Sequence, residues 1–380
     1  MFHLEENINI SPTRVKYMSN KKYIFRFTFF LTILALAIML SLPKKYNTSI
    51  DTKKIFAGLT EEIQNVSNMT FENSSAKYQL KKNYQNWTLK GYNNYPADIK
   101  KINAFLLNLI ESSFIDIKDI DSENYKKIGV AYPFELDNES MKVKIYKEDK
   151  ILYDFIIGKS LGTEKNFKVN YFRNFDEEKV YLLKNTLDIP IKEFQWINED
   201  IIKIARWRIK SVEIKDIVKK TRFKIYRDNY ASRNYKFDNL PKNYSLINNF
   251  SLNSLASVFE SLKILDVTPV PLDSDNVSAE IKKNVTVETF DGLMLKLELL
   301  SIGKTQYIKI YAKSDVAIRE ELSESEEKIV GIPNMKSFKE VIDEQEKIRF
   351  TANWLYKIDE DSLSLLNKSK SDYLKKNIND

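Results

Sequence analysis

The sequence predicts an α+β protein, in which a duplicated module of mostly antiparallel sheet with packed helices is preceded by one transmembrane helix. An apolar run occupies residues 23–42, and two later stretches repeat the same succession of strand-like segments around an amphipathic helix. The chain has 380 residues, of which 43% are hydrophobic, enough for two hydrophobic cores. We therefore divide it into a cytoplasmic tail (1–22), an anchor (23–42), a first α+β module (43–205) and a second α+β module (206–380).

The predicted anchor runs from Tyr23 to Leu42 with Arg26 as its only charge. At about 1.5 Å per residue, a helix of this length spans the hydrocarbon core of a bilayer. A buried core helix and a signal peptide cleaved near Ala35–Ala37 are the alternatives. Because an uncleaved N-terminal anchor translocates a long following region, we expect residues 43–380 to lie outside the cytoplasm.

The first module is predicted from alternating strand-like segments on either side of one helix. Asp98 is a good N-cap for that helix, and its apolar face carries Ile102, Phe105, Leu106 and Leu109. The predicted strands cover Met69–Glu72, Tyr78–Lys82, Trp87–Lys90, Val143–Tyr146, Leu152–Ile157, Phe167–Phe172 and Val180–Leu183. A segment of helical tendency, Ile191–Ile202, closes the module.

The second module repeats this order. Its predicted strands cover Val212–Ile214, Phe223–Tyr226, Tyr235–Phe237, Val285–Thr289, Leu293–Leu299 and Tyr307–Tyr311. The helix between them has Leu255, Val258, Phe259 and Leu262 on one face. After an acidic interruption at Arg319–Glu327 come a helix over Ser337–Ile348, a strand over Trp354–Ile358 and a charged closing helix from Asp361 to Lys375.

The residue types present exclude several kinds of chemistry. The chain has no cysteine, and its single histidine, His3, lies in the N-terminal tail. Structural zinc, iron–sulfur clusters, thiol nucleophiles and histidine-based catalytic triads are thereby excluded from the modules. We therefore predict no metal, no cofactor and no catalytic or binding residues of these kinds.

The net positive charge of the two modules is too small to predict a nucleic-acid partner. The net charge is +7, but residues 1–42 hold five basic and two acidic side chains, so the rest of the chain carries only +4. Arginine, which suits phosphate and base recognition, is scarce beside lysine. The basic stretch Lys203–Lys224 leaves a polyanion binder as a third hypothesis, although its interleaved apolar residues favour a solvated strand face.

Two short motifs resemble the end of a phosphate-binding loop, Gly158-Lys159-Ser160 and Gly303-Lys304-Thr305. Such a loop needs a second glycine five residues before the glycine of each motif, and these positions are Tyr153 and Glu298. We therefore predict a hairpin turn at each motif. The tryptophans, placed within strand and helix patterns, are expected to pack in the core.

Paired carboxylates would suit a hydrolase that acts on envelope polysaccharide. The candidate groups are Asp116, Asp119 and Asp121, and Asp359, Glu360 and Asp361. In a chain with 30% charged residues, such groups arise freely at loops and helix starts, so we favour structural roles for them.

Several short segments stand out together by their order and spacing. They are Phe56-Ala57-Gly58-Leu59, Trp87-Thr88-Leu89, Tyr95-Pro96-Ala97-Asp98, Ile128-Gly129-Val130 with Pro133, Ile157-Gly158 and Val180-Tyr181-Leu182-Leu183. In this order the segments resemble the bacterial domain of unknown function 4340 family. The resemblance covers most of residues 55–215 and recurs more weakly to about 375. It implies a single-pass protein of the bacterial inner membrane with a periplasmic or extracytoplasmic C-terminal domain, associated with ABC-type transporters of the gliding-motility auxiliary kind. It supplies no catalytic residues.

These observations lead to one hypothesis and one alternative. We expect a non-enzymatic accessory or scaffold subunit of a transport or envelope complex, in contact with the lipid bilayer through residues 23–42 and with a membrane protein complex such as an ABC-type transporter. The alternative is the carboxylate-dependent hydrolase.

Overall fold

A computed structural model describes most of the chain beyond residue 52. The described residues are 53–84, 86–116, 120–132, 140–162, 168–184, 187–248, 250–271, 279–321 and 333–377, all within one compact unit, Thr52–Asp380. The predicted tail (1–22) and anchor (23–42) lie outside them. Within the described ranges, no helix has both the length and the apolar character needed to cross a bilayer.

The first half of the described chain forms ten strands and three helices. The strands are β1 (Lys53–Lys54), β2 (Asn68–Glu72), β3 (Lys77–Asn83), β4 (Asn86–Leu89), β5 (Tyr95–Pro96), β6 (Ser113–Asp116), β7 (Met141–Lys147), β8 (Lys150–Gly162), β9 (Lys168–Asn174) and β10 (Tyr181–Leu183). The helices are α1 (Leu59–Glu62), α2 (Ile99–Glu111) and α3 (Tyr125–Ile128).

The second half forms eleven strands and three helices. The strands are β11 (Asp200–Ile202), β12 (Ile209–Asp216), β13 (Thr221–Tyr226), β14 (Lys236–Phe237), β15 (Tyr244–Leu246), β16 (Leu262–Pro269), β17 (Ala279–Thr289), β18 (Leu293–Ile302), β19 (Thr305–Ser314), β20 (Trp354–Ile358) and β21 (Leu374–Lys376). The helices are α4 (Phe250–Ser257), α5 (Phe338–Arg349) and α6 (Glu360–Asn367).

Two large antiparallel sheets share one strand order. The first runs β1-β6-β10-β9-β8-β7-β2-β3-β4-β5, and the second runs β11-β16-β20-β19-β18-β17-β12-β13-β14. Each strand of the second sheet thus occupies the position of a strand in the first, and only β5 has no counterpart. A third sheet pairs β15 with β21. Mostly antiparallel sheets with a few helices give the α+β class expected from the sequence.

The long helices begin where the sequence predicts. Asp98 caps α2 by accepting a hydrogen bond from the backbone N–H of Lys100 at 2.9 Å. Ser337 and Glu340 form a reciprocal capping box at the start of α5. The predicted apolar face of α2 is confirmed, because Ile102, Phe105, Leu106 and Leu109 are all buried.

One hydrophobic core extends through both halves of the described chain. Tyr95, from β5 of the first half, is fully buried against Phe350, Trp354 and Tyr356 of the second half, with ring centroids 5.0–6.2 Å away. Burial raises the pKa of Tyr95 to about 12. The two sheets are thus joined by packed aromatic rings, and the halves share a core.

Three helix predictions are wrong in whole or in part. Ile191–Ile202 forms a short 3-10 turn (Glu193–Trp196) and strand β11, because Asp200 and Ile202 pair with β16. Leu262 begins β16 and does not extend α4. The four residues predicted to share the apolar face of that helix, including Leu262, are all buried. The apolar pattern alone therefore could not show where the helix ends and the strand begins. The closing helix ends at Asn367, and β21 follows because Leu374 pairs with Leu246.

The two glycine-lysine motifs differ. Gly303-Lys304 is the hairpin turn between β18 and β19, as predicted, with Gly303 at φ +58°. Gly158-Lys159-Ser160 lies inside β8, so the predicted turn is wrong there. The register with β9 shifts between Ile157 and Ser160, which indicates a bulge.

Gly158 permits a close approach between β8 and the turn that follows α3. A Cβ at this position would lie 2.4 Å from the carbonyl oxygen of Ile128 and 2.8 Å from Cγ1 of Val130. Val130 packs there with Ile156 and Val180 in a small separate cluster. The glycine is therefore needed for this contact.

We expect Gly158→Ala to lower the free energy of unfolding by about 1–3 kcal/mol, because the added methyl group must push two backbone segments apart. Urea denaturation measures the change. Gly303→Ala is the comparison, since a methyl group there meets no atom within 4 Å and only the positive φ opposes it. Equal stability of Gly158→Ala and the wild type would contradict the close contact.

The prediction of a solvated strand face for Lys203–Lys224 is wrong at Arg208, which belongs to a buried group of charged side chains. Arg208 is 6% exposed, and its guanidinium contacts the fully buried Asp291 (Nε–Oδ2 2.6 Å) and Glu344 (Nη2–Oε2 2.7 Å). Lys336 also contacts Glu344, at 3.0 Å. Burial alone would raise the pKa of Glu344, but the hydrogen bonds and charges of Arg208 and Lys336 outweigh it and lower that pKa. The group fixes α5 to the start of β12.

A second arginine is buried without a carboxylate. Arg227 is 3% exposed and lies 4.9 Å from the ring centroid of Phe290. Its guanidinium donates hydrogen bonds to the backbone carbonyls of Trp207, Ile209, Tyr230 and Ser232. Among the described residues it forms no ion pair, and burial lowers its pKa. Arg227 therefore holds the segments before β12 and after β13 through hydrogen bonds and ring contacts, without an ion pair.

Candidate functional site

A cavity of about 800 Å³ lies against one face of α2 in the first half of the described chain. Lys101, Ala104, Phe105 and Asn108 line it from the helix at the spacing of adjacent turns. Ser160 of β8 and Asn170 of β9 line it from the sheet, and residues 187–199 form the remaining wall. We call this cavity the α2 groove.

The wall formed by residues 187–199 has little regular structure but is firmly held. Nε1 of Trp196 donates to the hydroxyl of Tyr78 at 3.2 Å, and that hydroxyl donates to the carbonyl of Pro190. Nδ2 of Asn73 donates to the carbonyl of Ile191 at 3.0 Å. Side chains from the β2–β3 hairpin region thus fix this segment, although most of its backbone does not pair with a strand of either large sheet.

α2 holds the other end of the same wall. The backbone N–H of Asp98 donates to the carbonyl of Trp196 at 2.7 Å. Nζ of Lys101 donates to the carbonyls of Gln195 and Ile197, each at 2.8 Å. The indole of Trp196 is 1% exposed and lies 5.6 Å from the ring of Phe105. The groove is therefore preformed, which reduces the entropy lost when a ligand binds.

Three polar side chains of the groove, Asn170, Asp188 and Glu199, offer hydrogen-bond acceptors to a ligand. Asn170 is 7% exposed; its Nδ2 donates to the carbonyl of Gly158 at 3.3 Å, whereas its Oδ1 has no partner among the described residues. Asp188 and Glu199 add two carboxylates to the lining, and the single lysine, Lys101, already donates to the wall. Because a buried acceptor without a partner is unfavourable, a ligand that supplies N–H donors suits this site.

None of the described members of the predicted acidic groups lines this groove. Asp359 caps α6 by accepting from the backbone N–H of Ser362 at 2.8 Å, and Glu360 and Asp361 lie in the first turn of that helix. Asp121 is exposed, whereas Asp119 and the side chain of Asp116 are outside the described residues. The structural role favoured for the acidic groups is thus confirmed for Asp359, which caps a helix.

No cluster of three histidine, cysteine, aspartate or glutamate side chains within the described ranges could hold a metal ion. Burial raises the pKa of Glu193, but its carboxylate accepts a hydrogen bond from the backbone N–H of Gly91 at 2.8 Å and is not part of the groove lining.

The sequence patterns do not reveal this groove. Residues 187–191 carry neither strand nor helix periodicity, and the pattern of the next segment predicts a helix. Trp196, expected in the core, is buried there as predicted but also borders the groove. Nothing in the sequence around Asn170 distinguishes it from other polar residues of alternating strands.

A family sequence model described as "Domain of unknown function (DUF4340)" matches residues 87–285, which include every described residue that lines the groove. No curated protein gives a significant match to the chain, nor does any solved structure.

Proposed function

The chain belongs to the DUF4340 family, and because the description of that family, a domain of unknown function, assigns no activity, we propose a function from the residues of this chain. The protein is a non-enzymatic binding subunit that holds an extended peptide segment of a membrane protein in the α2 groove. The observation that carries this proposal is the preformed groove with the unpartnered Oδ1 of buried Asn170 in its lining.

The chemistry of the groove favours a peptide over a small anion. Apolar side chains such as Leu187, Ile189 and Pro190 line the wall together with carboxylate and amide groups. A peptide backbone supplies N–H groups for acceptors and side chains for apolar contacts. The carboxylates of Asp188 and Glu199 favour a segment that carries positive charge.

The location and partner follow from the sequence hypothesis. In this proposal residues 23–42 anchor the chain in the bacterial inner membrane, the modules lie outside the cytoplasm, and the peptide belongs to a complex such as an ABC-type transporter. The common strand order of the two sheets supports a duplication, with modules at 43–205 and 206–380. The groove itself is lined by the first half alone.

We expect Ala104→Arg to weaken partner binding by about tenfold or more, because a long charged side chain would fill the groove from an exposed position on α2. The measurement is affinity purification of the full chain from detergent-solubilised membranes, with quantitative mass spectrometry of the proteins retained at native abundance. Asn103→Arg is the matched control, since Asn103 is exposed on the same helix and does not line the groove.

Support requires one defined membrane protein that the wild type and Asn103→Arg retain and that Ala104→Arg loses. Equal recovery with all three chains would show that the partner binds elsewhere. Recovery of no membrane protein at native abundance would count against the accessory role itself.

A further inference from the structure

The hairpin between β12 and β13 has an apolar tip surrounded by basic side chains. Residues 217–220 connect the two strands, and Ile217 and Val218 are 38% and 59% exposed. Lys215, Lys219, Lys220 and Arg222 flank this pair. We call Lys215–Arg222 the basic hairpin.

The positive charge of the basic hairpin is largely uncompensated. Lys215, Lys219 and Lys220 are exposed and form no ion pair with another described residue, while Arg222 lies 3.9 Å from Glu213. The one acidic side chain in the hairpin, Asp216, is buried and faces Lys283 at 3.5 Å. At least three cations therefore face solvent beside two exposed aliphatic side chains.

The hairpin also has a concave surface. A cavity of about 300 Å³ is lined by Lys215, Asp216, Ile217, Lys220, Thr221 and Arg222. Lys220 has a φ of +52°, a conformation that glycine or asparagine adopts more readily. A lysine at this position is thus unfavourable for the turn, whereas its charge suits an anion in the cavity.

The corresponding hairpin of the first sheet lacks these features. Residues 73–76, between β2 and β3, occupy the same position in the strand order and read Asn-Ser-Ser-Ala. Both turns contain the same side-chain contact: Oδ1 of Asn73 accepts from the backbone N–H of Ala76 at 2.7 Å, and Oδ1 of Asp216 accepts from that of Lys219 at 2.8 Å, each three residues further on. The aliphatic and basic side chains are therefore not required by the turn.

We propose that the basic hairpin docks on a bilayer of anionic phospholipid. The lysines and Arg222 bind the headgroup phosphates, and Ile217 and Val218 enter the boundary between headgroups and acyl chains. Ile281, 39% exposed on the neighbouring strand β17, lies two residues from the register partner of Asp216 and is a further exposed aliphatic side chain near the hairpin. Aliphatic side chains at the centre of the cations fit a lipid surface better than a nucleic-acid backbone, which offers no apolar layer at its phosphates.

Because the sequence contains no cysteine, a single introduced cysteine can be labelled specifically. Val218→Cys, labelled with an environment-sensitive fluorophore, is reconstituted as the full chain into phosphatidylcholine vesicles with increasing fractions of phosphatidylglycerol. We expect a blue shift of the emission, and quenching by spin-labelled lipid, only when phosphatidylglycerol is present. The same label at Ser74→Cys, on the corresponding polar turn, is expected to show neither.

The charge contribution is measured by adding Lys219→Gln and Lys220→Gln to the labelled chain. Since each lysine contributes about fivefold to binding at an anionic surface, the docking equilibrium constant should fall about 25-fold. Both side chains are exposed, and an unchanged unfolding transition verifies the fold. Inorganic phosphate without vesicles should give no blue shift, which separates a lipid surface from a free anion.

Three results would overturn the proposal: emission independent of phosphatidylglycerol, the same response from the Ser74 label, or an equal blue shift with duplex DNA in place of vesicles. The outcome is separable from that of the α2 groove, because Ala104→Arg is expected to leave the emission response of the basic hairpin unchanged.

Discussion

Asp291→Ala is expected to lower the free energy of unfolding by about 3–5 kcal/mol, because it leaves the buried guanidinium of Arg208 without one of its two carboxylates. Asp291 is fully buried and also accepts a hydrogen bond from the hydroxyl of Thr289 at 2.6 Å. The substitution therefore removes a partner from two polar groups at once. Urea denaturation of the wild type and the variant measures the change.

The matched control is Glu346→Ala, on the same helix as Glu344. Glu346 pairs with Arg349 at 3.4 Å in a contact whose side chains are 52% and 72% exposed, so its loss should cost about 0.5 kcal/mol or less. If Asp291→Ala destabilised the protein no more than this control, the buried ion pair between Arg208 and Asp291 would not stabilise the fold.

Arg227→Met is expected to lower the free energy of unfolding by about 2–4 kcal/mol. Methionine can fill much of the space beside the Phe290 ring but cannot donate a hydrogen bond. The backbone carbonyls bonded by Arg227 would lose a donor in a buried place, at about 1–3 kcal/mol for each that stays unpaired. Thermal and urea denaturation should agree on the loss.

Arg227→Lys separates charge from geometry at the same site. Lysine keeps the positive charge but lacks the planar fork that reaches several carbonyls together, so it should recover only a small part of the stability. Arg222→Met, at a residue with an 80% exposed side chain, should leave stability nearly unchanged. Wild-type stability of Arg227→Lys would show that the fork is unnecessary.

Local pattern predicted most of the strands and the long helices. Trp354–Ile358 has the predicted bounds, and Asp98 and Ser337 cap the helices that their side chains favour. These features depend on residues within one or two turns of one another, which periodicity and capping rules describe well. The α+β class follows from such elements, whereas the order of the strands within each sheet was not predicted.

Features that depend on distant residues could not be predicted in this way. Arg208 meets Asp291 and Glu344 across 83 and 136 residues, and nothing near Arg208 distinguishes it from the neighbouring solvated cations. Strand β11 forms because of its pairing with β16, against a local helical tendency. The α2 groove likewise depends on a wall whose conformation is fixed by Tyr78 and Asn73, more than a hundred residues earlier.

The shared strand order has a consequence for the nascent chain. In each large sheet a late strand enters the interior: β10 lies between β6 and β9, and β20 between β16 and β19. Until the ribosome has released Trp354–Ile358, β16 and β19 each present an unpaired edge, which is a template for intermolecular association. At about 5–20 residues per second, the roughly 40 residues between β19 and β20 keep these edges open for several seconds. The topology of the second sheet thus leaves two strand edges unpaired for several seconds during synthesis, and a chaperone that covered them would prevent intermolecular pairing.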